Sequence, residues 1–473
     1  MTRNTQRSKN ALSCPSCRAT VHLDSTGWHC GACRVSHSKI AGVNLMMSDP
    51  RGFLQSVEAE LAATMRLCAA RMEYLPALAN EAGLMPTGIS RLRDQTRAAC
   101  RQVAMLQDLL GSSLKVAETE SFSQVVPSWS LEALAPWLIR DWGPARELEE
   151  IEARLAMACA THLRDPASCR IAFPGCGAGG LAARLAAPFG EAYAFDTSLP
   201  ILAILARLLR QGSLDLCLAP PLTEAGRLAM RGADASQLEI LAMDATRTAF
   251  ANGALDCVVT AFLLDLIPDP HLLVAEVNRM LAPGGIWINY GPTGPRGALW
   301  HFSGVETVEL AKRHGFSILE SEPHRSTLFN FGAADPAGAW SSHVCNLLVA
   351  KKTSEISRAA AATPAGETTE RDIPAHFPGA LIERRQHPGE NESILFVHER
   401  VPGRPVRFSI GPGFAAALAS VDGQTPVAVL AARLVQSGLA RDQKDAVAAY
   451  GRLIDSELLR LKTAGDGDVS LLK

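Results

Sequence analysis

Apolar and polar positions follow three rhythms along this chain, and each predicts a different kind of structure. From about 53 to 162 the rhythm is helical. Leu54, Val57, Leu61, Met65 and Cys68 recur at steps of three and four, and Leu92, Val103, Leu106, Leu109 and Leu110 form a second, looser series. Ser130 is placed to cap a helix carrying Leu131, Leu134 and Trp137. Residues 51–165 therefore read as a helical extension. Across 166–352, apolar runs at 170–174, 192–196, 238–242, 255–261, 284–290, 316–320 and 344–350 predict strands. Helical patterns at 179–188, 198–210, 271–282 and 305–314 separate them. That alternation predicts an α/β domain with a doubly wound parallel sheet, its last two strands pairing as an edge hairpin. Residues 353–371 are rich in Ala, Thr, Ser, Glu and Pro and read as a linker. A third rhythm, strands at 394–398 and 406–410 and then helices at 414–418, 427–435 and 446–461, predicts a winged-helix-like domain over 372–473.

The densest chemical signal lies in residues 171–185, Ile-Ala-Phe-Pro-Gly-Cys-Gly-Ala-Gly-Gly-Leu-Ala-Ala-Arg-Leu. Strand, tight turn and helix in that order bring backbone N–H groups and a helix N-terminus against a nucleotide-like ligand. Gly175, Gly177 and Gly179 can take turn conformations closed to other residues and leave room for a ligand. A glycine-rich turn within a core βα unit is the plain alternative. Asp196 tells against it, because it ends the next strand about where an acid would meet a ribose. Asp244, followed by Ala245, stands just past the strand at 238–242, on the adenine side. Asp265 follows the buried run at 255–261, at the carboxyl edge where open α/β sheets bind ligands. Leu281-Ala282-Pro283-Gly284-Gly285 adds a helix stop and a turn before the next strand.

The first fifty residues hold a different signature. Cys14-Pro15-Ser16-Cys17 and Cys30-Gly31-Ala32-Cys33 are two C-x-x-C knuckles, and Val21, Leu23 and Trp28 between them predict a small β-hairpin. Four thiolates in two tight turns suit a structural Zn2+ ion, and a ribbon this small has too little core to fold without one. A redox dithiol pair and a metal-free ribbon are the alternatives. A catalytic zinc is not expected, since four cysteines leave no open position.

Glycine loop, ribose acid, adenine-side acid and Pro-Gly-Gly turn, in that order, resemble the class I S-adenosyl-L-methionine-dependent methyltransferases, which have a Rossmann-like sheet. Arg140-Asp141-Trp142, Pro174-Gly175-Cys176-Gly177 and the block from Gly284 through Tyr290, Gly291 and Pro292 to Leu299-Trp300-His301-Phe302 narrow this further. Over roughly 90–352 they resemble the carnosine N-methyltransferase family, which methylates an imidazole nitrogen of a histidine-containing dipeptide. The resemblance implies that Arg140 meets the methionine carboxylate of the cofactor and that Gly175, Gly177 and Gly179 underlie it. It implies that Asp196 and Asp244 hold ribose and adenine, and that Asp265 and His301 hold the acceptor imidazole. Capping of the next element by Asp265 and packing of His301 beneath Trp300 are the structural alternatives. Asn289 is read equally as a backbone or a substrate contact. His271, His314 and His324 are read as ordinary surface or helix residues. Two departures point to a different acceptor or pocket: an insertion at 293–298, and Trp340, Ser341, Ser342 and His343 where the family is tyrosine-rich. The C-terminal segment resembles PqqD-like peptide-binding modules through Leu418, Val421, Asp422 and Gly423, a plain packing or dimerisation domain being the alternative.

Composition only trims this picture. At 473 residues the chain is expected to hold several domains, and a net charge of −2 gives no support to nucleic-acid or membrane-surface partners. The N-terminus lacks a secretory pattern, and eight of the twelve cysteines lie outside the knuckles in apolar or helical contexts, so a reducing cytoplasm is expected. The expected function is a cytoplasmic methyltransferase acting on a nitrogen of a small-molecule or peptide substrate, with a peptide or protein partner for the C-terminal domain. A non-catalytic scaffold that keeps the fold is the rival.

Overall fold

The computed structural model describes residues 11–24, 27–81, 85–110, 134–142, 148–215, 227–229, 235–267, 269–292, 303–328, 341–356, 369–376, 380–385, 393–399, 405–410, 412–455 and 459–461. They form two compact units, one ending at Ile356 and the other beginning at Thr369.

The first unit is built on one eleven-stranded sheet. Its first strands are β1 (Val21–Leu23), β2 (Gly27–Cys30), β3 (Ser36–Ile40) and β4 (Val43–Leu45), each antiparallel to the next. Helices α1 (Pro50–Glu81) and α2 (Pro86–Leu110) follow and pack on each other. Phe53, Val57 and Leu61 on α1, and Val103, Leu106 and Leu110 on α2, are buried, as their spacing predicts. Then come α3 (Leu134–Trp142) and α4 (Glu149–His162). Ser130 and Leu131, expected at the start of α3, lie outside the described residues.

The α/β core runs β5 (Arg170–Pro174), α5 (Gly180–Leu185), β6 (Glu191–Asp196), α6 (Leu199–Gln211), a small hairpin of β7 (Ser213–Asp215) and β8 (Arg227–Ala229), and β9 (Leu238–Ala242). It continues with β10 (Leu255–Ala261), α7 (Pro270–Met280), β11 (Leu281–Gly291), α8 (Gly304–Arg313), β12 (Phe316–Leu328) and β13 (Ser341–Lys352). The spatial order is β1-β2-β3-β4-β9-β6-β5-β10-β11-β13-β12. The strands from β4 through β9, β6, β5 and β10 to β11 are mutually parallel, while β13 runs antiparallel to β11 and β12. This is a Rossmann-like α/β sheet with an antiparallel edge. Parallel strands buried on both faces need near-continuous apolar runs, which is what Ile171–Phe173 and Ala192–Phe195 supply. The strand order reverses between β5 and β10, so the crevice beyond their carboxyl ends is where a ligand belongs.

Both edges extend beyond the expected sheet. The hairpin at 316–320 and 344–350 is longer at both strands, and β4 places the four-cysteine segment in register with β9, Asn44 opposite Leu241 and Leu45 opposite Ala242. A single apolar core joins Leu12, Trp28 and Met46 to Tyr193, Phe195, Met243 and Phe250.

In the second unit, β15 (Leu381–Arg385), β16 (Ser393–Glu399) and β17 (Pro405–Ile410) form an antiparallel sheet with β16 central. Helices α9 (Pro412–Ala419), α10 (Val427–Gln436) and α11 (Gln443–Asp455) follow, and β14 (Pro374–Ala375) pairs with β18 (Arg460–Leu461). Phe396, Phe414, Leu418, Leu430 and Tyr450 share its core. The expected helix at 446–461 therefore ends sooner, at Asp455, and Arg460 and Leu461 are extended against Pro374 and Ala375. The end of the expected linker also belongs to this unit, since the carbonyls of Glu370 and Asp372 accept from the Ala428 and Val427 amides. Among the described residues no helix is long and apolar enough to cross a membrane.

Candidate functional site

The glycine loop leaves β5 through three left-handed residues: Gly175 at φ +60°, Gly177 at +54° and Gly179 at +78°. A Cβ at Gly175 would lie 2.5 Å from Leu263 Cδ1, and one at Gly179 would lie 2.4 Å from Leu205 Cδ2. At Gly177 a Cβ would meet nothing within 4 Å. Two of these glycines thus serve packing and backbone shape, and the middle one borders open space. Asp196, at the end of β6, tethers the loop: its Oδ2 accepts from the Gly177 amide at 3.0 Å and its Oδ1 from the Ser198 amide at 2.9 Å. Burial pushes its carboxyl pKa up, against the lowering effect of those two amides.

The Arg-Asp-Trp triplet at the end of α3 clasps the same loop. Asp141 Oδ2 accepts from the Gly180 amide at 2.9 Å, at the start of α5, and Trp142 Nε1 donates to the Ala178 carbonyl at 2.8 Å. The approach is so close that a Cβ on Gly180 would sit 2.7 Å from Asp141 Cβ. Asp141 Oδ1 accepts from Arg140 Nε at 2.8 Å and lies 2.7 Å from Nη2. The guanidinium is stacked 4.6 Å from the Trp137 ring centroid and 5.4 Å from that of Phe262. Arg140 is only 7% exposed, and its Nη1 is buried with no hydrogen-bond partner. A guanidinium fixed on one side with a donor left over on the other is a receptor for an anion. Gly177 and Arg140 together therefore fit a cofactor that carries a carboxylate.

Asp244 follows β9 and folds back on its own loop, Oδ1 accepting from the Thr246 amide at 2.7 Å and from Thr246 Oγ1 at 2.8 Å. Ala245 beside it is buried. Asp265 stands four residues beyond the end of β10, half-buried, in the turn where the Leu266 amide donates to the Leu263 carbonyl. His301 lies outside the described residues, as do the insertion at 293–298 and Trp340, and only the backbone of Ser341, Ser342 and His343 is described. The described part of the site brings together Arg140, the glycine loop and Asp196. A polar cavity of about 180 Å³ lined by Ser168, Arg170, Glu191 and Asp256 lies at the opposite, amino-terminal edge of the strands.

One constellation has no counterpart in the sequence reading. Tyr290, at the carboxyl end of β11, is fully buried, and its hydroxyl lies 2.6 Å from His324 Nδ1 on β12. His324 Nε2 is 2.8 Å from Glu150 Oε1 in the first turn of α4. With Nε2–H donating to the carboxylate, Nδ1 is free to accept from the phenol. His324 is thus not an ordinary surface residue, a correction that no local pattern around it could have supplied. Tyr290 also contacts Phe262 edge-on at 5.5 Å and hydrogen-bonds Cys345. Burial pushes the Cys345 thiol up to about 11, with the Asp265 charge adding to the rise. Tyr290 lies at the carboxyl end of β11 and Asp265 past that of β10. His314 is also more than a surface residue: it is buried, and Nδ1 donates to the Leu310 carbonyl at 2.9 Å. Asn289 faces the other side, Oδ1 accepting from Thr260 Oγ1 at 2.9 Å while that hydroxyl accepts from Trp287 Nε1. Its side chain lies in a core network.

At the far edge of the sheet the four knuckle sulfurs lie within 4.8 Å of one another, with Cys14 and Cys33 at 3.5 Å and Cys17 and Cys30 at 3.4 Å. Sulfurs on a tetrahedral zinc at about 2.3 Å are about 3.8 Å apart, so the donor set fits that ion. The knuckles mirror each other: Arg18 N donates to Cys14 O and Cys14 N to Ala19 O, while Arg34 N donates to Cys30 O and Cys30 N to Val35 O.

Comparison with known proteins finds similarity to methyltransferases. Residues 174–289 match the family model described as a methyltransferase domain, so the chain carries such a domain there. An 86-residue stretch is 34% identical to carnosine N-methyltransferase unmet of Drosophila melanogaster, covering 18% of each protein, so the chain spans under a fifth of that relative's length in the match. Among solved structures, the chain is similar to magnesium protoporphyrin IX methyltransferase from Synechocystis PCC 6803, at 15% identity and a TM-score of 0.34, over 47% of this chain and 91% of that one. It is also similar to the N-methyltransferase NodS from Bradyrhizobium japonicum WM9, at 17% identity and a TM-score of 0.32, over 47% of this chain and 98% of that one.

Proposed function

We propose that the chain is an S-adenosyl-L-methionine-dependent methyltransferase that acts on a nitrogen, an imidazole nitrogen of a small or peptide substrate fitting best. The observation that carries this reading is the buried, unpartnered Nη1 of Arg140 beside a glycine loop with open space at Gly177. The bound cofactor supplies a sulfonium methyl already activated for transfer, so the protein's task is binding and alignment. Arg140 Nη1 holds the methionine carboxylate, Asp196 the ribose, and Asp244 with Ala245 borders the adenine. Gly175 and Gly179 shape the loop. Asp265, with His301, orients the acceptor ring: by accepting N–H from one nitrogen it keeps the other unprotonated and stabilises the cation that develops.

Tyr290, His324 and Glu150 carry the acceptor's proton away. Once the ring is methylated, Asp265 hands the N–H proton it holds to the phenol oxygen, which passes its own to His324 Nδ1, and Glu150 stabilises the resulting imidazolium. Glu150 is exposed, so the proton can leave to solvent. Cys14, Cys17, Cys30 and Cys33 hold a structural zinc ion. The outer strands β15 and β17 of the second unit suit a peptide added as a further strand.

The test is calorimetric titration of the zinc-loaded full chain with S-adenosylhomocysteine. Saturable one-to-one binding that Arg140→Leu abolishes is expected. Failure of the wild-type protein to bind would favour a scaffold that keeps the fold without its chemistry.

A further inference from the structure

The four-cysteine segment and the adenine-side loop, residues 244–251, are held together by more bonds than sheet continuity requires. The loop's backbone is paired with the segment that enters the first knuckle: Ser13 N donates to Ala249 O, Ala251 N to Ala11 O, and Leu12 bridges Phe250. Its side chains reach into the knuckle itself. Arg247 Nε donates to the Pro15 carbonyl at 3.2 Å and Nη2 to the Ser16 carbonyl at 3.3 Å, both between Cys14 and Cys17. The knuckle reaches back through Arg18, whose Nη1 donates to the Thr248 carbonyl and whose Nη2 lies 3.6 Å from Glu276. Glu276 is fully buried on α7 and accepts from Thr248 N at 2.6 Å, Thr248 Oγ1 at 2.8 Å and Arg279 Nη2 at 2.7 Å.

Arg18 holds φ +64° at the turn after the second cysteine, as Arg34 holds φ +60° at the matching place in the second knuckle, so the turn sets that backbone and it is the Arg18 side chain that singles out this knuckle by reaching the loop. On its other side the same stretch is fastened to the ribose acid, because Met243 N donates to the Asp196 carbonyl at 3.0 Å. A loop that shares backbone and side-chain hydrogen bonds with the knuckle loses part of its support when the knuckle loses its shape.

We infer that the four-cysteine module is a metal-dependent clamp on the adenine-side loop, with Arg18 and Arg247 as positioning residues for the cofactor. Metal in the cysteine site fixes the Pro15 and Ser16 carbonyls, those fix Arg247, and the fixed loop presents Asp244 and Ala245. The inference rests on the cofactor reading above, and two separate readouts keep them apart.

The first readout is affinity of the full chain for S-adenosylhomocysteine, before and after zinc removal by a chelator, with metal content and circular dichroism measured alongside. Removal is expected to weaken binding at least tenfold, and Arg247→Ala to weaken it about tenfold while zinc content stays the same. Arg18→Gly is expected to keep the metal, relieve the turn and still weaken binding. The second readout is amide hydrogen exchange over 244–251, which is expected to speed up on zinc removal and in Arg247→Ala whether or not a cofactor binds. Should the metal-free chain unfold as a whole, the two arginine variants decide alone. Affinity and exchange unchanged in both of them would overturn the clamp. Absence of binding in the zinc-loaded wild type, with exchange still metal-dependent, would instead overturn the cofactor reading and leave the clamp standing.

Discussion

The two sides of the sheet's carboxyl edge are built by different means. Beyond β5 and β6 the work is done by backbone: left-handed glycines, amides held by Asp141 and Asp196, and one arginine stacked on aromatic rings. Beyond β10 and β11 it is done by side chains from distant segments, Glu150 and His324 lying 174 residues apart in the chain. A backbone-built site tolerates little change in shape. A side-chain-built site can be emptied of chemistry while the fold stands. On the proposed reading, selection for a new acceptor can therefore act on the second side without disturbing the methyl donor on the first.

The largest expected effect is on the cofactor side. Arg140→Leu removes a buried charged donor and strands Asp141, which still holds the Gly180 amide. Charge-assisted bonds of this kind contribute about 1.5–3 kcal/mol each, so S-adenosylhomocysteine affinity should fall on the order of a hundredfold by calorimetry. Retained affinity would move the carboxylate site elsewhere. Gly179→Ala comes next. Its Cβ would meet Leu205, which is fully buried and cannot swing away, at a φ of +78°. Strain and overpacking together should cost about 2–3 kcal/mol of stability in a urea melt and weaken cofactor binding with it.

This contrast also explains what could be read from the sequence. A backbone-built site leaves local traces, because a glycine at 175, 177 or 179 and an acid at 196 each answer a need within one βα unit. The parallel sheet was legible for the same reason: Ile171–Phe173 and Ala192–Phe195 are buried runs that need no knowledge of their neighbours. The pairing of Tyr290 with His324 leaves no such trace. It depends on β12 and β13 reversing at the edge, so that His324 lies opposite Cys345 and Leu347 opposite Tyr290. Docking of the cysteine segment on β9 was equally invisible, since β4 is only three residues long and its partner is nearly two hundred residues away. Asp141 stands in the Arg-Asp-Trp motif with no role legible there, because its role is met only where Gly180 approaches it.

On the acceptor side Tyr290→Phe should separate chemistry from fold. Loss of the hydroxyl's buried hydrogen bonds to His324 and Cys345 should cost about 1–3 kcal/mol of stability. Cofactor affinity should stay within twofold, and methyl transfer to an imidazole dipeptide such as carnosine should slow about tenfold. A parallel loss of cofactor affinity would show that the two sides are not independent, and so break the comparison.

The smallest effect is expected at the outer end of the relay. The hydrogen bond from His324 lowers the pKa of the Glu150 carboxyl from its ordinary 4.5, with Arg154 adding to the effect. A carboxyl depressed in the folded state contributes stability that is present above the unfolded pKa and lost as pH falls through the folded one. Glu150 has an exposed side chain, so that contribution should not exceed about half a kcal/mol. Glu150→Gln should therefore match the wild type in melting at pH 7 to within that margin, and lose slightly less stability than the wild type below pH 4.5. Its turnover is where a difference should show. A neutral amide cannot stabilise imidazolium as a carboxylate does, so the acid limb of the pH–rate profile should move to lower pH while cofactor affinity stays unchanged. An unmoved limb in Glu150→Gln, beside a slowed Tyr290→Phe, would mean that the proton leaves by another route and that the phenol only positions the acceptor.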